Sequence, residues 1–231
     1  MKIVALSLFA AVVPLSVEAA TCERTAPARP PLVVELYTSE GCSSCPPADR
    51  WLSSLKGRDD VLPIAFHVGY WDRLGWVDRL ATREMTDRQY QLAKALGARN
   101  VYTPQVVVQG RDWRRWPALP FVAAAAPMPL KLVREGEQVT AEVGAAPGRW
   151  TGYWAVLEDG HRSRVSTGEN RGETLAHDHV VRLYRPVGEW EGARRFTLAL
   201  PPGDAGHPRR VAFVVAAAAD LRPVQALSLG C

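Results

Sequence analysis

The stretch Thr38–Trp51, TSEGCSSCPPADRW, sets two cysteines two residues apart between an apolar run and a run with helical spacing. The run before it, PLVVELYTS (31–39), is apolar and β-branched and reads as a strand. The run after it, PPADRWLSSLKG (46–57), puts Trp51, Leu52 and Leu55 on one helical face, with Gly57 as the stop. Pro46 and Pro47 fall in the first helical turn, where a missing N–H loses no hydrogen bond. Cys42 therefore stands where a strand gives way to a helix. Helix N-terminal N–H groups and the helix dipole stabilise a thiolate there. The spacing reads as a redox pair: Cys42 as the exposed nucleophile, Cys45 as the resolving thiol that attacks the mixed disulfide.

Further along, VLPIAFHV (61–68) reads as a second buried strand, followed by the aromatic loop GYWDRLGW (69–76). TREMTDRQYQLAKALG (82–97) reads as a helix from near Thr82 to Gly97, with Met85, Tyr90, Leu92 and Leu96 as its apolar positions. YTPQVVVQG (102–110) gives a third strand with Pro104 at its entrance, and residues 119–126 a short final helix. This alternation implies parallel strands joined by crossovers. After about Pro127 the pattern changes to short strand-like runs such as KLVREGEQVTAEVG (131–144), YWAVLEDG (153–160) and RRVAFVVAAA (209–218), separated by Gly, Pro and Asp turns. That spacing suggests an all-β, sandwich-like part.

Residues 1–20 read as a secretory signal peptide: Met1-Lys2, then IVALSLFAAVVPLSV, then Ala19 and Ala20 at a plausible cleavage point. The expectation is an exported protein, periplasmic or secreted, in an oxidising compartment and not integral to a membrane. Four cysteines in an exported chain favour full pairing, so Cys22 and Cys231 are expected to form a structural disulfide. The 28 basic and 24 acidic side chains leave a net charge of only +4, and the arginines are scattered. A nucleic-acid partner is therefore not expected. A CxxC can be half a zinc site, but no second CxxC follows, and His177 and His179 lie in the β-rich part. No metal site is assigned and no organic cofactor is implied.

With its CxxC after a strand, the first half is similar to a thioredoxin fold. That resemblance makes Thr103-Pro104 the counterpart of the cis-proline loop that faces the CxxC. It makes Glu35 the counterpart of the buried acid that moves protons; a strand-end glutamate facing solvent is the alternative. Gly41 replaces the tryptophan usual before the first cysteine, and Ser43-Ser44 replaces Gly-Pro. GCSSCPPAD, HVGYWDRLGW, VYTPQVVV and GENRGETLAHDHVVR together resemble domain-of-unknown-function family 1223, exported proteins with a thioredoxin-like domain followed by a β domain. The implied organisation is an α/β thioredoxin-like domain over 30–126 and a mostly-β, sandwich-like domain over 128–231.

Strand ends form sites in open α/β sheets, which makes Tyr70, Trp71 and Trp76, with Thr103, candidate walls of a substrate groove; aromatic packing is the alternative. His67 lies on its strand as a core histidine, or as a proton donor or soft-metal ligand near the thiols. GENRGETLAHDHVVR (168–182) is a polar turn between strands or a loop that docks near the CxxC. The first function this suggests is an exported thiol–disulfide oxidoreductase acting on protein or small-molecule thiols and disulfides, with a separate redox partner. The alternatives are a copper-binding chaperone using the same thiols, and a partner-binding protein in which the CxxC is a structural disulfide.

Overall fold

In the computed structural model, residues 21–120 and 124–231 are described. Segment 1–20, expected to be a signal peptide, lies outside them. Chain order runs β1 (Thr21–Thr25), β2 (Leu32–Thr38), α1 (Pro46–Ser53), β3 (Val61–His67), a 3-10 turn (Gly69–Leu74), α2 (Arg83–Ala95), β4 (Gln105–Val108) and β5 (Arg111–Asp112). Then come β6 (Leu130–Glu135), β7 (Gln138–Val143), β8 (Trp150–Glu158), β9 (His161–Arg164), β10 (Thr174–His177), β11 (Val180–Trp190), β12 (Arg194–Ala199), β13 (Arg209–Ala217) and β14 (Pro223–Leu229). The fold is mostly β, with several sheets and few helices. Of the helix expected over 119–126, residues 121–123 lie outside the described part and the others are not helical. No helix among the described residues is long and apolar enough to cross a membrane.

The main sheet has eight strands in the order β14-β13-β8-β11-β3-β2-β4-β5. Strands β2 and β3 are parallel and buried at every residue, because helices cover both faces. On one face, Val34 and Leu36 of β2 pack on Ala48 and Leu52 of α1. On the other, Val33 and Tyr37 pack with Met85 and Leu92 of α2. Strand β4 runs antiparallel to β2, which corrects the expected all-parallel set. Alternation alone does not fix strand direction, since an antiparallel return needs no crossover.

The sheet continues from the α/β part into the β-rich part at one joint. Val180 of β11 pairs in parallel with Ala65 of β3, and Ala65 N–H donates to the His179 carbonyl at 2.8 Å. A second sheet, β1-β6-β7-β12, packs over β8, β13 and β14 through Leu130, Leu132, Val139, Trp154, Phe213 and Leu227. The alternating burial of β6 and β7 is that of strands with one wet face. Cys22 on β1 and Cys231 are joined as a disulfide, with Cα atoms 6.7 Å apart.

Helix α2 shows where helical spacing misleads. Thr82 caps it, as expected, accepting from Met85 N–H. Tyr90, expected to be inward, is 51% exposed, while Arg88 and Gln89 are buried. Both polar side chains have partners inside: Arg88 reaches Glu35, and Gln89 donates to the Tyr102 carbonyl and to Gln105. A buried polar group is tolerated when it is bonded in this way.

Candidate functional site

Cys42 and Cys45 form a disulfide, with Cα atoms 5.5 Å apart. Cys45 is the N-cap of α1, and Pro46 and Pro47 occupy its first two positions. The Cys45 carbonyl accepts from Ala48 and Asp49 N–H groups, and Cys45 N–H donates to the Cys42 carbonyl at 3.2 Å. The helix thus grows directly out of the disulfide loop.

Neither sulfur-bearing residue has exposed surface, so the expected exposed nucleophile at Cys42 is corrected. Two segments cover the loop. From the β-rich part, Asn170 donates to the carbonyls of Cys42 (3.0 Å) and Glu40 (2.9 Å). Beside it, the exposed Glu169 carboxylate accepts from Ser43 N–H (3.1 Å) and Ser43 Oγ (2.8 Å). From the other side, Trp71 lies so close that a Cβ on Gly41 would stand 3.0 Å from its Cβ. That contact explains why glycine precedes Cys42. Trp71 Nε1 also donates to Thr103 Oγ1 at 2.8 Å, which bridges the disulfide loop to the Thr103–Pro104 bond, a cis peptide. The two covering segments meet: Thr167 Oγ1 donates to the Gly75 carbonyl, and Gly168 has a φ of +76° and lies so close to Trp76 that an added Cβ would stand 3.3 Å from the Trp76 Cβ.

Beneath the loop lies a buried polar cluster. Glu40 accepts from Trp76 Nε1 at 2.7 Å and sits 3.5 Å from His177 Nε2. Asp49 on α1 accepts from Thr38 Oγ1 at 3.1 Å and lies 3.9 Å from His177 Nδ1. His67 and Asp78 pair at 2.7 Å, and Asp78 also accepts from Glu40 N–H. Burial opposes charge on His177, but Asp49 and Glu40 on either side outweigh it and hold the imidazolium up to about 10. Burial also works against the Asp78 carboxylate. The His67 ring and the N–H groups of Glu40 and Leu80 nevertheless hold it down to about 2. His177 thus pins β10 to α1 and to the disulfide loop through ion pairing alone, since neither ring nitrogen is in hydrogen-bond geometry with a partner. A cavity of about 370 Å³ opens between α1 and β10, lined by Ser43, Pro46, Asp49, Asn170, Leu175 and His177 among others.

Glu35 is not part of this cluster. It is buried, not solvent-facing, and shares the α2 face of β2 with Val33 and Tyr37, opposite α1. There it accepts from Arg88 (2.6 Å), Tyr153 (2.6 Å) and Tyr37 (3.1 Å). Its negative charge is spent on a guanidinium stacked over the Tyr153 ring at 4.5 Å. The structure therefore brings Thr103, Trp71 and Trp76 to the CxxC loop, and it sends Glu35 elsewhere. Tyr70 stands beside Trp71, ring centroids 6.3 Å apart.

A family profile described as a protein of unknown function, DUF1223, matches residues 33–217. The chain belongs to the DUF1223 family. Among solved structures, a crystal structure of a protein from Agrobacterium tumefaciens is similar at 28% identity, with a TM-score of 0.68, over 88% of this chain and 96% of that one. HBP35 of Porphyromonas gingivalis shares the fold at 14% identity and a TM-score of 0.60, over 89% of this chain and 76% of that one. No curated protein matches the chain.

The matched span of this DUF1223 chain takes in both covering segments. Sequence reasoning missed Glu40, Asp49 and Asp78 as parts of the site; the loop that holds Asn170 was expected either as a polar turn or as one docking near the CxxC, and it docks there. Asp49 had a signal, since it follows Cys45 by four residues and so shares its helix face. Asn170 had none beyond its place in the GENRGE loop, because its partners lie 128 and 130 residues earlier. Among the described residues no cluster of three or more His, Cys, Asp or Glu is arranged to hold a metal ion.

Proposed function

We propose that this protein is an exported thiol–disulfide oxidoreductase whose Cys42–Cys45 pair is opened for reaction by displacement of the segments that cover it. The observation that carries the reading is the placement of the disulfide. It lies at a strand–helix junction, with Cys45 capping α1 and Trp71 linking the loop to cis-Pro104. Strands β2 to β5 with α1 and α2, within residues 30–126, act as a thioredoxin-like unit. The order β3-β2-β4-β5 with one parallel pair supports this. Residues 128–231 extend its sheet and supply the cover.

In the reduced form, the Cys42 thiolate attacks a substrate disulfide, making a Cys42–substrate bond and releasing one substrate thiolate. The Cys45 thiolate then attacks Cys42 Sγ, re-forming the internal disulfide and releasing the second thiol. A dithiol substrate drives the same steps backwards. In this reading Pro104, which has no N–H, and Thr103 receive an extended substrate segment.

A second reading, a structural disulfide, is favoured by the burial of both cysteines. The reduction potential of the mature chain separates the two. A value between roughly −120 and −270 mV lies among exchange catalysts and supports the first. A value below about −300 mV, with no turnover of a disulfide substrate, would establish the second.

A further inference from the structure

A thiolate at a strand–helix junction is held by the N–H groups at the helix start. In this chain those donors are spoken for. Pro46 and Pro47 fill the first two positions of α1 and have no N–H. Gly41 N–H donates to Ser39 Oγ, Cys42 N–H to the Ser39 carbonyl and Ser43 N–H to Glu169. Cys45 N–H donates to the Cys42 carbonyl, and Ala48 and Asp49 N–H groups to the Cys45 carbonyl. Among the described residues of the segment, Ser44 is the one that remains. Its Oγ lies 3.4 Å from Cys42 Sγ. A disulfide sulfur carries no hydrogen, so the hydroxyl is the donor in that contact.

The charges around the loop do not take its place. The loop and the segments against it carry Glu40 and Asp49 with His177 beside them, Asp78 with His67, and Glu169. Carboxylates outnumber imidazoles there, and a nearby negative charge disfavours a thiolate. We propose that the Ser44 hydroxyl is a catalytic donor to Cys42, stabilising its thiolate and so raising the oxidising strength of the Cys42–Cys45 pair. This rests on the exchange chemistry proposed above. When the chain oxidises a dithiol, a substrate thiolate attacks Cys42 Sγ. The Cys42–Cys45 bond breaks with its electron pair on Cys45, which takes a proton. The second substrate thiolate then attacks the substrate sulfur of the mixed disulfide. That bond breaks with its pair on Cys42, where the Ser44 O–H receives it, and the remaining proton goes to solvent. The substrate loses two electrons and the cysteine pair gains them. A donor that favours the reduced form makes the pair a stronger oxidant. In the reverse direction the same hydrogen bond holds the attacking nucleophile.

The test uses the full mature chain with Ser44→Ala and Ser44→Thr. Ser44 is exposed and lies outside α1, so both variants keep the core. Ultraviolet thiolate absorbance is titrated in a Cys45→Ser background, which leaves Cys42 as the free thiol and Cys22–Cys231 bonded. Ser44→Ala should move the Cys42 midpoint up by about one pH unit, a tenfold weaker acid, the low end for a hydrogen bond to a charged group because Ser44 is exposed. With both cysteines present, and at a pH above both midpoints, the same factor lowers the reduction potential by about 30 mV. Ser44→Thr keeps the hydroxyl and should return both readings to wild type. An unmoved midpoint in Ser44→Ala, with exchange intact, would overturn the inference and leave the exchange reading standing. A Ser44→Thr chain that behaves as Ser44→Ala does would overturn it too, since the effect would not follow the hydroxyl. A wild-type potential below about −300 mV with no turnover would sink the exchange reading itself; the titration would still decide whether Ser44 holds the thiolate.

Discussion

Asn170 Nδ2 donates to the backbone carbonyl of Cys42 across 128 residues of sequence, at 3.0 Å. The same amide group holds the Glu40 carbonyl at 2.9 Å. A side chain from the β-rich part therefore fastens the backbone on which the disulfide sits.

Removing that fastener should make the disulfide easier to reach. Asn170→Ala gives up two buried hydrogen bonds, worth about 1 kcal/mol each net. The opening equilibrium should shift by roughly 30-fold, since about 1.4 kcal/mol is a factor of ten. Reduction of Cys42–Cys45 by dithiothreitol, followed under pseudo-first-order conditions, should accelerate by up to that factor. An unchanged rate would mean that Trp71 and the loop around it, not Asn170, control access.

The Glu35–Arg88 pair should matter for stability and not for redox chemistry. Both side chains are buried, and Arg88→Met leaves the Glu35 carboxylate with only the Tyr37 and Tyr153 hydroxyls. Breaking a buried pair from one side costs about 3–5 kcal/mol. Urea unfolding should show that loss, while the reduction potential of the variant stays at the wild-type value. A shifted potential would return Glu35 to the redox site.

Alkaline pH should loosen the pin between β10 and α1. His177 holds its proton up to about 10, whereas an ordinary imidazole lets go near 6.5. Between those values the folded chain binds more protons than the unfolded one, so stability falls as pH rises. The contribution is complete below about 6.5 and gone above about 10. Urea midpoints measured across that window should decline in wild type. The decline should be flatter in His177→Gln.

The terminal disulfide should act on stability alone. Cys22 and Cys231 are 209 residues apart, and closing so long a loop removes unfolded-chain entropy worth up to about 5 kcal/mol. Cys22→Ser/Cys231→Ser should melt earlier in calorimetry. Its Cys42–Cys45 pair should still exchange at the wild-type rate.

The core elements of the first half were legible because their signals are local. β2 and β3 are unbroken apolar runs, Thr82 and Gly97 bracket α2, and the CxxC announces itself. Apart from the short helix expected over 119–126, whose described residues are not helical, the failures were long-range. Glu35 sits on a strand, where the sequence cannot say which of two faces holds a counter-charge; Arg88 is 53 residues on and Tyr153 118. Tyr90 was placed inward by spacing because an inward arginine two residues before it, Arg88, is invisible without its partner. The burial of Cys42 and the cluster of Glu40, Asp49 and His177 depend on β10 docking beside α1, and nothing near residue 42 encodes that.

The joint at Val180 and Ala65 bears on how this chain can be cut or rebuilt. A fragment ending near residue 127 would keep the CxxC, both helices and cis-Pro104, yet strip β3 of its neighbour. It would bare a hydrophobic strand edge, a ready template for intermolecular pairing, and it would strand Arg88 and Glu35 without Tyr153. Grafting the motif-bearing portion alone onto another scaffold would thus yield a sticky half-sheet instead of a miniature catalyst.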